Sequence, residues 1–137
     1  MAVTVTKNQL KDFLRDLLHA DALPFDDKLR SLLPDKPGIY RIFEMGSDWK
    51  SSLRVGRTDA EGGLRQRVYQ NHLMGNQPGN IRAQLVSDKT KRCSDSEKAK
   101  EFLITRCKVQ FLVIEDDNQR KWAEHFILSI LQPEYSD

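Results

Sequence analysis

The chain has 137 residues, 39% of them hydrophobic and 31% charged, with a formal net charge of +2. That length holds one real core and is short for two ordinary domains. No run is apolar for the length a bilayer demands, and the N-terminus lacks the basic, apolar and small-residue succession of an export signal, so a soluble, cytoplasmic protein with no membrane partner is expected.

From Lys7 to Ala20 the residues Leu10, Phe13, Leu14, Leu17 and Leu18 recur at helical spacing, with Lys11, Asp12, Arg15 and Asp16 between them. The spacing predicts an amphipathic helix whose leucine stripe covers its own domain or a partner. Pro24 closes it, and Leu29, Leu32 and Leu33 allow a second short helix between Asp26 and Leu33 before Pro34 and Pro37 force extended chain. Residues 1–33 thus read as an N-terminal helical extension packed on a domain spanning 34–137.

Two strands follow at hairpin distance, Pro37 to Phe43 and Leu53 to Thr58, each short, alternating and carrying a glycine where backbone must approach something closely. Alternation puts Tyr40 and Ile42 on one face and Ile39, Arg41 and Phe43 on the other. On this pattern alone Tyr40 is a core residue with its hydroxyl satisfied at an edge. The glycine and serines of Met45 to Ser52 make a loop longer than a tight turn, with Trp49 expected to be partly exposed.

A helix is predicted from Leu64, with Leu64, Val68 and Leu73 on its inner side, ended by Gly75, Pro78 and Gly79. Asn80 can cap the next helix, through Ile81, Leu85 and Val86, and Ser94 or Asp95 a further one containing Ala99, Phe102 and Leu103. Lys108 to Glu115 reads as a third strand, apolar almost throughout as if covered on both faces. Asp117 or Asn118 starts the last helix, with Trp122, Phe126, Ile127, Ile130 and Leu131 expected on its buried side and Pro133 ending it.

Charge placement says more than charge sum. Lys50, Arg54, Arg57, Arg65 and Arg67 crowd the second strand and the helix after it, and Arg82, Lys89, Lys91 and Arg92 follow, whereas acids gather at Asp26-Asp27 and Glu115-Asp116-Asp117. This suggests a basic working face, against the plainer reading of solvated surface arginines. Cys93 and Cys107 have no metal-ligand spacing and read as free thiols without a role.

The order of these signals resembles the GIY-YIG nuclease superfamily. Gly38-Ile39-Tyr40 matches its first signature, and Arg54-Val55-Gly56 stands where the second, tyrosine-led signature belongs. The match continues through Arg57-Thr58, Leu64-Arg65-Gln66-Arg67, His72, and Glu124 with Ile127-Leu128, Leu131 and Pro133, so it spans Gly38 to Ser136. The resemblance implies an α/β (α+β) sandwich with a central three-stranded antiparallel sheet flanked by helices, and the extra N-terminal helical segment outside it. It also implies metal-dependent hydrolysis of DNA phosphodiesters.

Carried over residue by residue, the resemblance makes Glu124 the metal carboxylate, for Mg²⁺ or Mn²⁺, and Arg67 the guanidinium that holds the scissile phosphate. Tyr40 orients or deprotonates the attacking water, and His72 accepts a proton or aligns Tyr40. The family places that helix residue four after the arginine, where this chain has Asn71; His72 comes one later, and Tyr69 is a further alternative. Arg54 replaces the second signature tyrosine and Ser136 the terminal asparagine. Arg54, Arg57 and Arg65 are expected to help grip nucleic acid. The alternative reading is a catalytically inactive nucleic-acid-binding or protein-interaction module of the same fold. Because no separate recognition motif is visible, target choice is assigned to DNA shape, a protein partner or a homodimer.

Overall fold

The computed structural model describes residues 4–48, 51–59 and 61–136; Trp49 and Lys50, which figured in the loop and basic-cluster readings, lie outside them. Helix α1, Lys7–His19, begins at a reciprocal cap. The Thr6 hydroxyl accepts from the Gln9 N–H at 3.2 Å while the Gln9 side chain accepts from the Thr6 N–H at 2.8 Å. Of its apolar stripe Leu17 is fully buried, with Phe13, Leu14 and Leu18 packed partly around it.

The three predicted strands form, as β2 (Gly38–Glu44), β3 (Arg54–Thr58) and β4 (Cys107–Val113). A fourth was missed. Leu23–Pro24, β1, pairs with Val109 and Lys108 of β4, giving an antiparallel sheet in the order β1-β4-β2-β3. The expected three-stranded sheet is therefore four-stranded. A two-residue strand has no alternation to read, and its proline is tolerated because β1 lies at the sheet edge. At the start of β2, a Cβ on Gly38 would sit 2.2 Å from the Leu112 carbonyl oxygen, so only glycine lets β2 lie this close to β4.

Six helices, among the described residues, cover the two faces. One face carries α2 (Leu29–Leu32), a π-helix (Arg65–Leu73), α3 (Ile81–Ser87) and α4 (Ser96–Arg106), packed over Tyr40, Ile42 and Val109. The other carries α1 and α5 (Asp117–Leu131), packed over Ile39 and Val55. Alternation along β2 thus divides the core as the sequence pattern requires. Residues within 1–33 contribute to both core clusters: Phe25, Leu29 and Leu33 are buried in the first and Leu17 in the second.

Helix α5 corrects one reading. Its buried stripe is Arg120, Ala123, Ile127 and Leu131, whereas Trp122 and Ile130 are 44% and 47% exposed. The small Ala123 turns toward the sheet, and Trp122, one residue earlier and so about 100° round the helix, faces out beside Lys121 and His125. Beyond α5 the chain does not trail off. Glu134 and Tyr135 donate their N–H groups to the Ser52 and Leu53 carbonyls, and Tyr135 bridges Arg54 in parallel, so the tail covers the Arg54 end of the exposed edge of β3. Cys93 and Cys107 are free and buried, and burial pushes the Cys107 thiol up to about 12. No helix among the described residues is long and apolar enough to cross a membrane.

Candidate functional site

Tyr40 and Gly56 face each other across β2 and β3. A Cβ on Gly56 would lie 2.4 Å from the Tyr40 hydroxyl oxygen and 2.7 Å from Cζ, so the ring lies flat against this glycine and its hydroxyl reaches the edge strand. The ring is 1% exposed. Its oxygen is 2.7 Å from His72 Nε2, with the two rings tilted by 60° at 5.3 Å between centroids.

His72 reaches Tyr40 because of the helix that carries it. Residues Arg65–Leu73 are wound as a π-helix, and the Met74 N–H bonds the Tyr69 carbonyl five residues back rather than four. With the turn widened by one residue, the side chain one turn beyond Arg67 is that of residue 72 rather than 71. Among the alternatives Tyr69, Asn71 and His72, it is His72 that is fully buried and bonded to Tyr40, while Tyr69 packs against the apolar core.

The other ring nitrogen, Nδ1, accepts the Ile81 N–H at 3.0 Å. Ile81 opens α3, whose cap Asn80 accepts the Ala83 N–H, so His72 satisfies a first-turn amide that has no partner within its own helix. Burial first, and then the positive charges of Arg54 and Arg67, push His72 well below its ordinary value of 6.5. The ring is neutral at physiological pH. Arg67, half-buried on the π-helix, therefore lies within electrostatic reach of the Tyr40–His72 pair.

On the opposite face of β3, Arg57 projects toward α5. Its Nη1 is 3.6 Å from Glu124 Oε1, too far for a hydrogen bond, and this buried nitrogen has no hydrogen-bond acceptor among the described residues. Its Nε donates to Asp59 at 3.0 Å, and Asp59 also accepts from Arg120 at 2.7 Å. Burial would raise the Asp59 carboxyl, but hydrogen bonds and charge from Arg120 and Arg57 outweigh it and hold Asp59 below its ordinary value. Glu124 itself is only 13% exposed. An open cleft of about 310 Å³ lies beside Arg57, Asp59, Arg120 and Lys121.

The structure thus brings Tyr40, His72 and Arg67 together on one side of β3 and sets Glu124 against Arg57 on the other, joined through the consecutive residues Gly56 and Arg57. Two predicted nucleic-acid contacts, Arg54 and Arg65, are engaged by protein acceptors. Arg54 is 1% exposed, donating from Nη1 to the Gly79 carbonyl at 2.6 Å and to Gln84 Oε1 at 2.7 Å. Arg65 donates to the Arg30 and Leu33 carbonyls, satisfying the C-terminal end of α2. Arg82 is buried on the Leu73 and Ser96 carbonyls, and Arg92 is paired with Glu134. Four arginines of the predicted basic face, Arg54, Arg65, Arg82 and Arg92, are thus engaged within the protein, because arginine's planar fork suits carbonyl clusters as well as phosphate, while Lys89 and Lys91 stay exposed. Ser136, by its carbonyl, accepts from Gln84, the same side chain that receives Arg54.

Among the described residues no three His, Cys, Asp or Glu side chains converge as a metal cage. One carboxylate nevertheless fits Mg²⁺ or Mn²⁺ held mainly by water and substrate phosphate, and excludes a closed structural site of the zinc kind. No protein-family model matches the chain, and no curated protein and no solved structure matches it.

Proposed function

We propose that this chain is a metal-dependent DNA endonuclease of the GIY-YIG kind, hydrolysing phosphodiester bonds at the β3 edge. The observation that carries the reading is the Tyr40–His72 contact: the tyrosine of the glycine-led strand lies on the glycine of the second strand, within 2.7 Å of a neutral buried histidine. An ordinary core tyrosine needs one acceptor, not a histidine flanked by two arginines.

In this reading a water placed by the Tyr40 oxygen attacks phosphorus, forming the new P–O bond as the bond to the leaving oxygen breaks. Tyr40 acts as the phenolate, its own proton having gone to solvent; it takes a proton from the attacking water and afterwards returns it to solvent, and the leaving oxygen takes one from solvent. Arg67 holds the non-bridging oxygens and offsets the charge that grows on them. Glu124 would hold a divalent cation, which when bound supplies positive charge to the phosphate and the leaving oxygen. Arg57, whose side chain is 28% exposed beside Glu124, is the remaining one of the three arginines proposed to contact phosphate. DNA is the proposed partner, with target choice left to DNA shape, a protein partner or a homodimer.

The test is cleavage of supercoiled, linear, branched and single-stranded DNA, with RNA as a control, in Mg²⁺ or Mn²⁺ and in chelator. Cutting is expected only with the cation. Glu124→Ala should abolish it, and Arg67→Ala should slow it on the order of a hundredfold or more, the cost of about 3 kcal/mol for one preorganised donor. No cutting of any substrate, or equal cutting by Glu124→Ala, overturns the reading.

One observation favours a second reading, a non-catalytic nucleic-acid-binding or protein-interaction module. Arg54, in the place of the second signature tyrosine, is buried on Gly79 and Gln84 and supplies no proton-handling group. Binding that weakens steeply with salt, without cleavage, identifies that module.

A further inference from the structure

We propose that His72 serves as a hydrogen-bond donor to the Tyr40 oxygen, locked in its Nε2–H tautomer by the Ile81 amide, and is not the acceptor of a proton from Tyr40. The argument is an inventory of hydrogens. A neutral imidazole carries one N–H and one bare nitrogen, and an imidazolium carries two N–H groups. The Ile81 N–H points at Nδ1 from 3.0 Å, so Nδ1 must be the bare nitrogen; a hydrogen there would face another hydrogen. The single N–H is then on Nε2, 2.7 Å from the Tyr40 oxygen, and it donates. The charged groups facing the ring are Arg54 from β3 and Arg67 from the π-helix, and both oppose a second proton, as does full burial. Tyr40 comes from β2 and Ile81 from α3.

The consequence is directional. Because its oxygen accepts from His72, Tyr40 has its own hydrogen, or the lone pair left by losing it, turned away from His72. The histidine favours negative charge on Tyr40 without taking a proton itself. Ile81 is a positioning residue through its backbone, and His72 is one through its ring. This inference rests on the nuclease reading for its use, but not for its test.

Nitrogen NMR of the full chain with labelled histidines, His19, His72 and His125, reads which ring nitrogen carries hydrogen. The expected result at pH 7 is a bare Nδ1 and a protonated Nε2 on His72; hydrogen on Nδ1, or an imidazolium, overturns the proposal. His72→Gln gives a second reading through cleavage, since its carboxamide nitrogen can donate near the place of Nε2 but cannot take a proton. Cleavage within about tenfold of the parent is expected for His72→Gln, against a loss on the order of a hundredfold for His72→Ala. If folded His72→Gln is as slow as His72→Ala, the donor role fails while the nuclease stands. If the parent cuts nothing, the nuclease reading fails and the NMR result alone decides the tautomer.

Discussion

The two sides of β3 hold their polar groups by opposite means. Around Tyr40 the hydrogen bonds are short and buried or part-buried: Tyr40 on His72, His72 on the Ile81 amide, Arg54 on Gly79 and Gln84. Around Glu124 the contacts are ion pairs open to solvent on one flank, with Asp59 52% exposed and the Arg57–Glu124 pair wider than a hydrogen bond. The first side is built into the core and fixes a geometry; the second leaves charge within reach of an incoming cation or phosphate. A site that needs a rigid water-positioning group and an exchangeable metal ligand divides its labour along this line.

Substitutions on the buried side should therefore show first as lost stability. Arg54→Ala removes a guanidinium that fills core volume and strands the Gly79 carbonyl and Gln84. A loss of about 3 kcal/mol or more is expected in urea unfolding, with no change in the salt slope of any DNA binding, because the Arg54 Nη1 is bonded to Gly79 and Gln84. An unchanged unfolding midpoint with a shallower salt slope would return Arg54 to the DNA contact set. Gly56→Ala comes next. The new methyl collides with a Tyr40 ring that has no room to withdraw, which should cost about 1–3 kcal/mol. It should also displace the hydroxyl from His72, seen as a change in the His72 ring resonances.

The third effect is a loss of stability between pH 7.5 and 5, above the range in which the depressed Asp59 carboxyl of the other side titrates. His72 lies well below its ordinary 6.5 when folded, so between that depressed value and 6.5 the unfolded chain binds a proton that the native chain does not. Stability from this group is complete above about pH 6.5 and is lost as pH falls below it, at up to about 1.4 kcal/mol per pH unit. Thermal unfolding followed from pH 7.5 to 5 should show that decline, and His72→Gln should flatten it. An equal slope in His72→Gln would place the acid sensitivity elsewhere.

Much of this arrangement was legible in the residues. Three of the four strands, the glycines that lie under Tyr40 and beside Leu112, the Asn80 and Asp95 caps and the inner faces of the helices before α5 follow from local pattern, because each is set by neighbours within a few residues or by a single strand partner. What escaped depends on distant chain. β1 is too short to show a period. Trp122 and Ile130 were assigned inward because the register of α5 is set by the close approach of Ala123 to the sheet, which no helical wheel specifies. The arginines looked alike in sequence, yet Arg54 and Arg65 are turned onto backbone carbonyls from segments 25 to 35 residues away. The one-residue lag from Arg67 to His72 was visible, and its meaning needed the π-helical winding that only the fold displays.

The smallest expected effect belongs to the Glu124 side and completes the contrast. Arg57→Gln removes an ion pair 3.6 Å long, a contact with the half-exposed Asp59, and a buried nitrogen that has no hydrogen-bond acceptor among the described residues. Pairs of this sort contribute about 0–1 kcal/mol, and loss of the unsatisfied donor offsets part of that, so the unfolding midpoint should hardly move. Glu124 would then face an incoming cation without the Arg57 charge beside it. Calorimetric titration with Mn²⁺ should find tighter binding by Arg57→Gln than by the parent, and none tied to this site in Glu124→Ala. Weaker Mn²⁺ binding would mean that Arg57 orients the carboxylate rather than competing for it, and a large loss of stability would place this side, too, within the rigid core.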